Sequence, residues 1–237
     1  MADTGALPIH MQISELLTRD IAAGRLVDGE RLPPEREMAA AHGISVGTLR
    51  KALAALQQQG MLERVQGSGN YVRARPVLAD GTGSVYAFLR LELAEGGGLP
   101  TARVLSVERL AKDPALPDFG TAPHGHRIRR LRFLSGVVAA LEEIWLDGTQ
   151  ADSLSAAALS DSLYYFYRTR LGLRIARAED RVGQGPLPDW APDAFPHRPG
   201  TPLPMITRVS HSHEGGSVEA SWTWFDPERV RYTVRLR

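Results

Sequence analysis

Apolar residues near the start of the chain recur at the spacing of an amphipathic helix: Ile9, Ile13, Leu16, Leu17 and Ile21. These steps of 4, 3, 1 and 4 residues place the side chains along one stripe, and Gly24 is expected to end the helix. Because proline is favoured in a first helical turn, a second helix is expected to begin near Pro34 or Glu35 and to end at Gly43.

A third helix is predicted after a turn of only a few residues, with Ser45 as its N-cap and Gly60 at its end. Its apolar stripe consists of Leu49, Leu53 and Leu56. Two short strands follow, near Leu62–Arg64 and Asn70–Arg73, and Val65–Gly69 joins them. Three helices with a short turn before the third, followed by a hairpin, predict a winged helix-turn-helix.

The pattern changes further along the chain, where apolar and polar residues alternate as in strands. The clearest segments are Ala102–Leu110, Arg127–Leu134, Val138–Leu146 and Val218–Phe225. A helix is expected near Ser162–Leu171. Strands, a helix and further strands predict an α+β domain with an antiparallel sheet. We therefore expect a DNA-binding domain over 1–75, a linker over 76–83 within the Pro- and Gly-containing stretch Ala74–Gly83, and a second domain over 84–237.

Composition narrows the class of protein. The 237 residues are 43% hydrophobic and 23% charged, which excludes wholesale disorder. The absence of cysteine excludes a disulfide scaffold, a thiolate zinc site and a cysteine nucleophile, and it agrees with the cytoplasm as the expected location. No apolar run approaches ~18 residues, so neither a transmembrane helix nor a membrane partner is expected. No signal peptide is expected either.

Charge is distributed unevenly although the net charge is only +1. Residues 1–44 carry four arginines against seven acids, whereas residues 45–75 carry five basic residues against Glu63 alone. The predicted third helix carries Ser45, Thr48, Arg50 and Lys51 near its start. Such a helix fits the major groove of B-DNA, and its N-terminus attracts phosphate. The alternative is a winged module that binds only protein.

Residues 7–73 resemble the DNA-binding domain of the GntR family of bacterial transcription regulators, and the motif RLPPEREMAAAHGISVGTLRKALAAL carries most of the resemblance. The resemblance places base- and phosphate-contacting positions at Arg36, Ser45, Thr48, Arg50, Gln66 and Gly67, with Lys51 as a DNA-backbone contact. Three residues depart from the family pattern. Val46 replaces a usual arginine, Gly47 replaces a frequent Ser or Thr, and Pro34 replaces a small polar residue. The family's usual operator is therefore not assumed.

The strand Arg127–Leu134 places two arginines between apolar residues. Alternation puts Ile128, Arg130, Arg132 and Leu134 on one face. Buried guanidinium groups require anions, so either carboxylates such as Glu142 or a bound ligand is expected to pair with them, and both can hold at once.

Segments of residues 99–232 resemble the UTRA domain of the HutC subfamily, notably RIRRLRF, ALEEIWL and VEASWTWFDPERVRY. This resemblance implies a chorismate lyase-like fold with an internal pocket. It maps effector contacts onto Arg130, Arg132, Glu142, Ser162, Glu219 and Phe225. The two arginines would hold an anionic group of the effector, the two glutamates would accept hydrogen bonds from its hydroxyl or amino groups, and Ser162 would donate one.

Several residues in the second half have more than one interpretation. Asp226 stands where an arginine is common in the family, so a standard ligand is doubtful. Trp222 and Trp224 share a strand face and are interpreted as core or dimer contacts. The pairs His124/His126 and His211/His213 lack a third ligand of clear spacing, so neither a metal nor a cofactor is expected.

The expected function is an effector-responsive transcription regulator, a repressor, that binds double-stranded operator DNA as a homodimer. A small anionic metabolite is the expected effector. One alternative is a lyase-like enzyme domain fused to a DNA-binding module, and another is an architectural DNA binder without an effector. A pyridoxal-phosphate-dependent domain would need a Schiff-base lysine, for which Lys112 is a poor candidate.

Overall fold

The computed structural model describes residues 8–22, 25–73 and 90–234. These residues form two compact units, one ending at residue 73 and the other spanning 90–232. The expected linker over 76–83 and the expected helix end at Gly24 lie outside the described residues.

The first unit contains three helices and a hairpin: α1 (Ile9–Ala22), α2 (Glu35–Ala41), α3 (Val46–Gln58), β1 (Leu62–Val65) and β2 (Gly69–Val72). The predicted stripes of α1 and α3 supply six of the thirteen buried residues of its core, in which Leu49 and Leu56 are fully buried. Ile9, the first residue of the predicted α1 stripe, is instead 54% exposed. Gly43 and Gly60 adopt positive φ angles of 64° and 70° just after helices, as expected of chain reversals there. The winged helix-turn-helix prediction is confirmed.

A third strand-like segment adjoins the wing and was not predicted. The Gly29 and Leu32 N–H groups donate to the carbonyls of Val72 and Asn70, at 2.9 Å each, and the Val72 N–H donates to the Glu30 carbonyl at 2.8 Å. This pairing fixes the segment before α2 against β2, so the wing and the start of α2 are held side by side.

The second unit is an α+β domain built on a six-stranded antiparallel sheet with the order β4-β5-β6-β9-β8-β7. These strands are β4 (Pro100–Ala111), β5 (His124–Leu134), β6 (Val137–Asp147), β7 (Ile175–Pro186), β8 (Pro202–Ser212) and β9 (Ser217–Phe225). A separate ribbon pairs β3 (Leu91–Leu93) with β10 (Val230–Tyr232). Helix α4 (Leu163–Phe166) continues as a π-helical turn over Tyr167–Leu171. The four expected strands and the expected helix are therefore confirmed.

The two faces of the six-stranded sheet are covered differently. On the helix face, Ile128 and Ile144 pack with Leu163, Phe166 and Tyr167 of the α4 segment. On the loop face, a separate cluster consists of Leu131, Leu141, Leu187, Phe195, Leu203 and Trp224. Strand alternation therefore assigns Arg130 and Arg132 to the face that α4 covers.

Candidate DNA-binding and effector sites

The predicted DNA-contacting residues lie at the start of α3, in α2 and at the wing tip. Ser45, Arg50 and Lys51 are exposed in or just before the first turns of α3, and Thr48 is half-buried. The Ser45 Oγ accepts from the Thr48 N–H at 3.1 Å, as the predicted N-cap requires, and the two hydroxyl groups lie 2.8 Å apart. Residues Arg36, Gln66 and Gly67 are exposed in the same unit.

Arg50 forms an ion pair that the sequence did not reveal. Its Nε donates to Glu35 Oε2 at 2.6 Å, while 63% of the Arg50 side chain remains exposed. The carboxylate at the start of α2 therefore holds one edge of the guanidinium and leaves the rest of this group open to solvent.

A cleft of about 490 Å³ separates the start of α2 from the wing. Arg31, Arg36 and Arg64 line it, together with Gly67 at the wing tip. Arg31 was not among the predicted contacts, because only the unforeseen pairing of its segment with β2 brings it to the wing. Glu35 and Glu37 also line the cleft, and Glu35 is paired with Arg50. The three arginines outnumber these acids, which favours the approach of a phosphate chain.

Val46 has a packing role that partly explains the departure from the family pattern. The side chain is half-buried and packs against the helical core beside Ile44. An aliphatic side chain at this position therefore buries apolar surface, which a charged guanidinium group could not do as favourably.

In the second unit, Arg130, Arg132 and Glu142 form a buried cluster on the helix face, with exposed fractions of 2%, 5% and 6%. Arg130 donates from Nε and Nη2 to Glu142 Oε2, at 3.0 and 2.6 Å. Arg132 donates from Nε to Glu142 Oε1 at 2.7 Å and from Nη2 to Oε2 at 3.3 Å. The expected carboxylate partner of the arginine pair is thus present.

The electrostatics of this cluster are those of a carboxylate between two cations. Burial alone would raise the pKa of Glu142, but the charges of Arg130 and Arg132 and their hydrogen bonds lower it to about 2. Glu142 is therefore ionised at neutral pH, and the three side chains together carry one net positive charge. Both of its oxygens already accept from protein donors.

The cluster is connected to the start of α4. Arg130 Nη1 donates to the Asp161 carbonyl at 3.2 Å, and the Asp161 carboxylate accepts from the Ala102 N–H at 2.9 Å. Ser162 is the N-cap of α4, where its Oγ accepts from the Tyr165 N–H at 3.3 Å. Ser162 therefore directly follows the residue whose carbonyl group Arg130 contacts.

Phe225 lies on the same sheet face as the arginine pair. The strand registers align Arg132 with Ala140 and Ala140 with Phe225, in one row across three strands. The Phe225 side chain is 6% exposed. It is therefore placed to form an apolar wall beside the cluster.

Glu219 belongs to a second buried cluster. Its carboxylate accepts from the hydroxyl groups of Tyr164 (3.0 Å), Ser210 (3.0 Å) and Tyr167 (2.8 Å). Burial raises the pKa of Glu219 above its usual value, although the three hydroxyl donors act in the opposite direction. The two glutamates predicted as effector contacts thus differ, because one is held by two cations and the other by neutral hydroxyl groups.

A further polar group extends this cluster to the edge of the sheet. Arg208 contacts the Tyr164 hydroxyl and pairs with Asp180 of β7, with Nε–Oδ1 and Nη2–Oδ2 distances of 2.5 and 2.7 Å. The Tyr232 hydroxyl of β10 donates to Asp180 Oδ2 at 2.8 Å. No sequence pattern indicates this group, because its members come from four separate elements.

Asp226 and two tryptophans have structural roles. Asp226 is 1% exposed in the turn after β9, where it accepts from the Glu228 N–H at 2.9 Å and lies 3.3 Å from both His197 and Arg229. This turn accounts for an acid at that position. Trp224 is buried in the loop-face cluster and Trp222 packs partly buried against it, which agrees with the core alternative of the core-or-dimer interpretation.

Two further chemical candidates, His126 and Lys112, are held in structural contacts. The His126 ring lies 2.8 Å from the Ala151 carbonyl, and Lys112 donates to Asp147 and to the Phe119 carbonyl at 2.6 Å each. Among the described residues, no helix is long and apolar enough to cross a membrane. Over the same part of the chain, no three histidine or acidic side chains form a group able to hold a metal ion.

A winged helix-turn-helix followed by a second domain with a buried ion cluster defines a DNA-binding transcription regulator with a domain for sensing an effector. Comparisons with known proteins agree: residues 10–72 match the bacterial regulatory proteins of the gntR family, and residues 95–231 match the UTRA domain. The chain belongs to the GntR family, in its UTRA-containing, HutC-like subfamily.

Individual relatives support this assignment. The chain is 58% identical over 233 residues to the HTH-type transcriptional regulator SmoD of Agrobacterium fabrum, covering 98% of each protein. It is 28% identical over 183 residues to the mannosyl-D-glycerate transport/metabolism system repressor MngR of Escherichia coli, covering 75% of each. The crystal structure of the possible transcriptional regulator YydK from Bacillus subtilis has the same fold, with a TM-score of 0.54 and 22% identity over 96% of this chain and 99% of that one.

Proposed function

We propose that this regulator is a repressor that binds its operator as a homodimer and releases it when a small anionic metabolite binds the UTRA domain. The observation that carries the proposal is the Arg130–Arg132–Glu142 cluster. Two buried guanidinium groups converge on one carboxylate, and guanidinium groups held in this way can donate charge-assisted hydrogen bonds to an anionic ligand. MngR supports the proposal, because its name describes a repressor and a compound that contains glycerate, a carboxylate.

In this proposal the residues of the effector site have distinct roles. Arg130 and Arg132 donate charge-assisted hydrogen bonds to the anionic group. Glu142 positions them, since its own oxygens are occupied. Ser162 offers its hydroxyl proton at the start of α4, and Phe225 forms an apolar wall. Glu219 accepts from the effector only where an effector hydroxyl replaces one of its three protein donors.

Binding of an anionic effector is tested by a thermal-shift screen of sugar phosphates, sugar acids and other small anionic metabolites. A ligand that binds only the native state raises the melting temperature, by an amount that corresponds to about 2.7 kcal/mol at 100 times its Kd. The Arg132→Gln variant is expected to lose this shift for every compound that stabilises the wild type. Operator binding by the same variant, without ligand, serves as the control for folding.

An unchanged thermal shift in Arg132→Gln, and again in a variant with Arg130→Gln added, would contradict the assignment of the site. An operator-binding assay with the same compounds tests the mechanism, because each effector should release the regulator from operator DNA. A compound that strengthens operator binding would instead indicate a co-repressor mechanism.

The proposed DNA contacts are Arg36, Ser45, Thr48, Arg50, Lys51, Gln66 and Gly67, with Arg31 and Arg64 added from the cleft beside the wing. We expect Arg50→Ala to weaken operator binding by about 1–3 kcal/mol, because one guanidinium contact to a base or phosphate is lost. Fluorescence anisotropy at fixed salt measures this change. The melting temperature and the effector response should stay close to those of the wild type, and unchanged operator affinity would show that α3 does not read the DNA.

A further inference from the structure

The outer edge of β7 is an interaction surface that the proposed function does not explain. The order of the six-stranded sheet ends at β7, so within the described residues this 12-residue strand has a neighbouring strand on one side only. Its register with β8 is regular from Arg177 to Pro186. Long, regular edges of this kind present unpaired backbone groups that can pair with another chain.

The opposite edge of the sheet, β4, differs in two respects. The register shift of β4 lies within the strand, between Val104 and Ser106, whereas that of β7 lies at its start, between Ile175 and Arg177. The Ala102 N–H donates to the Asp161 carboxylate at 2.9 Å, so part of the β4 backbone is already occupied. Bulges and covered backbone groups are the features by which proteins protect sheet edges. β7 is the better template for strand addition.

Side chains on β7 are self-complementary in charge. On the loop face, Arg181 donates to Glu179 within the same strand, at 3.1 and 3.0 Å, and these side chains are 81% and 53% exposed. On the helix face, Val182 is 54% exposed, which is unusual for a large apolar residue in this sheet. A cation, an anion and an apolar residue are therefore all available to one partner.

We propose that two copies of this chain pair antiparallel through β7, with the two-fold axis at Asp180, and so join their sheets into one continuous sheet. This proposal gives the homodimer of the proposed function its interface. A two-fold interface brings the same surface of each copy together. With this axis, Glu179 lies opposite Arg181 of the partner subunit, and Ala178 lies opposite the partner's Val182.

Neighbouring registers are less favourable. An axis at Glu179 would place Glu179 opposite itself and Arg177 opposite Arg181, and an axis at Arg181 would oppose two arginines. Like charges directly opposite one another are destabilising. The axis at Asp180 does oppose two carboxylates, but each is already paired through both oxygens with Arg208. This axis also pairs the regular middle of the strand, from Arg177 to Gly183, and covers Val182.

The natural absence of cysteine allows a direct test by cross-linking. In the proposed register, the double variant Ala178→Cys/Val182→Cys places a cysteine of each copy opposite a cysteine of the other, so mild oxidation should yield a covalent dimer on a non-reducing gel. Four residues along a strand span about 13 Å, too far for a disulfide within one chain. The single variant Val182→Cys is the matched control and should stay monomeric on that gel.

Charge reversal provides a second readout. Arg181→Glu opposes like charges twice in the symmetric interface, so sedimentation equilibrium should show dimerisation weakened by on the order of 10-fold. Adding Glu179→Arg restores opposite charges and should restore dimerisation. Equal weakening in both variants would overturn the charge pairing.

The outcomes separate this interface from the proposed homodimer. If the wild type sediments as a dimer but the double-cysteine variant does not cross-link, the β7 interface is wrong and the homodimer stands. If the wild type remains a monomer at all concentrations, both are wrong.

Discussion

At the scale of single residues, two buried glutamates on one sheet face occupy opposite electrostatic environments. Glu142 lies between Arg130 and Arg132, whereas Glu219 accepts from two tyrosines and a serine. The same Glu→Gln substitution should therefore have different consequences at the two positions. Each variant is the matched control for the other, because the side chains are similarly buried.

We expect Glu142→Gln to lower the free energy of unfolding at pH 7 by about 3–5 kcal/mol, because it leaves two buried cations without their anion. Glu219→Gln should cost less than about 1 kcal/mol, since burial already disfavours the charged form and hydroxyl groups can reorient towards an amide. Urea unfolding of both variants measures the difference. Equal losses in the two variants would contradict this account.

The pKa of Glu142 is lowered and that of Glu219 is raised, so the two residues make the stability depend on pH in opposite directions. The folded-state pKa of Glu142, about 2, lies below its ordinary value of 4.5, so the stability it contributes is present above pH 4.5 and is lost as the pH falls towards 2. The folded-state pKa of Glu219 is raised, so its contribution is largest at low pH and declines as the pH rises through that pKa. Glu142→Gln should therefore flatten the acid limb of the wild-type stability curve.

At the scale of elements, Ser45 has two roles in α3 that one pair of variants separates. Its Oγ caps the helix, and its exposed side chain belongs to the proposed DNA contacts. Ser45→Ala should reduce the free energy of unfolding by about 1 kcal/mol, because the cap is lost. Ser45→Asp should keep the stability near that of the wild type, since aspartate is an equally good N-cap.

For operator affinity, the two variants should have the opposite ranking to that for stability. A carboxylate at the start of α3 repels DNA phosphates, so Ser45→Asp should weaken operator binding more than Ser45→Ala does. Anisotropy titrations at two salt concentrations check this ranking. If both variants bind the operator as the wild type does, the start of α3 does not face DNA.

Local patterns predicted most of the elements but few of the contacts between them. The stripe of α3, the Ser45 cap and the alternation that places Arg130 and Arg132 on one face depend on neighbouring residues, so the sequence contains them. The segment 29–32 beside the wing has no strand pattern of its own, and only the hydrogen bonds to β2 define it. Arg31 was missed for that reason.

The candidate site was predictable to a similar extent. Glu142 follows from pairing two adjacent strands, a short-range arrangement that the sequence favours. The partners of Glu219 come from α4 and β8, at 52, 55 and 9 residues along the chain, and Asp180 is 28 residues from Arg208. Contacts of this kind depend on strand order and register, which hydrophobic patterns do not specify.

At the scale of the whole molecule, the proposed mechanism requires that an effector bound in the second unit changes the DNA affinity of the first. The polar group formed by Tyr164, Arg208, Asp180 and Tyr232 connects α4 to β10. β10 pairs with β3, the first element of the second unit along the chain. A shift of α4 on effector binding therefore has a hydrogen-bonded route to the strand that follows the DNA-binding domain in sequence.

Tyr232→Phe tests this route because it removes one hydrogen bond, from the Tyr232 hydroxyl to Asp180, and leaves both ligand sites intact. Loss of one such bond is worth about 1 kcal/mol, so the ratio of operator affinities without and with saturating effector should fall by roughly 5-fold. The affinity for operator without effector should be that of the wild type. Anisotropy titrations with the metabolite that the thermal-shift screen identifies measure both quantities.

Tyr165→Phe, on α4 but outside this polar group, should keep the wild-type ratio. If Tyr232→Phe also keeps it, the coupling between the domains runs through other contacts, and the Arg208–Asp180–Tyr232 group only stabilises the fold.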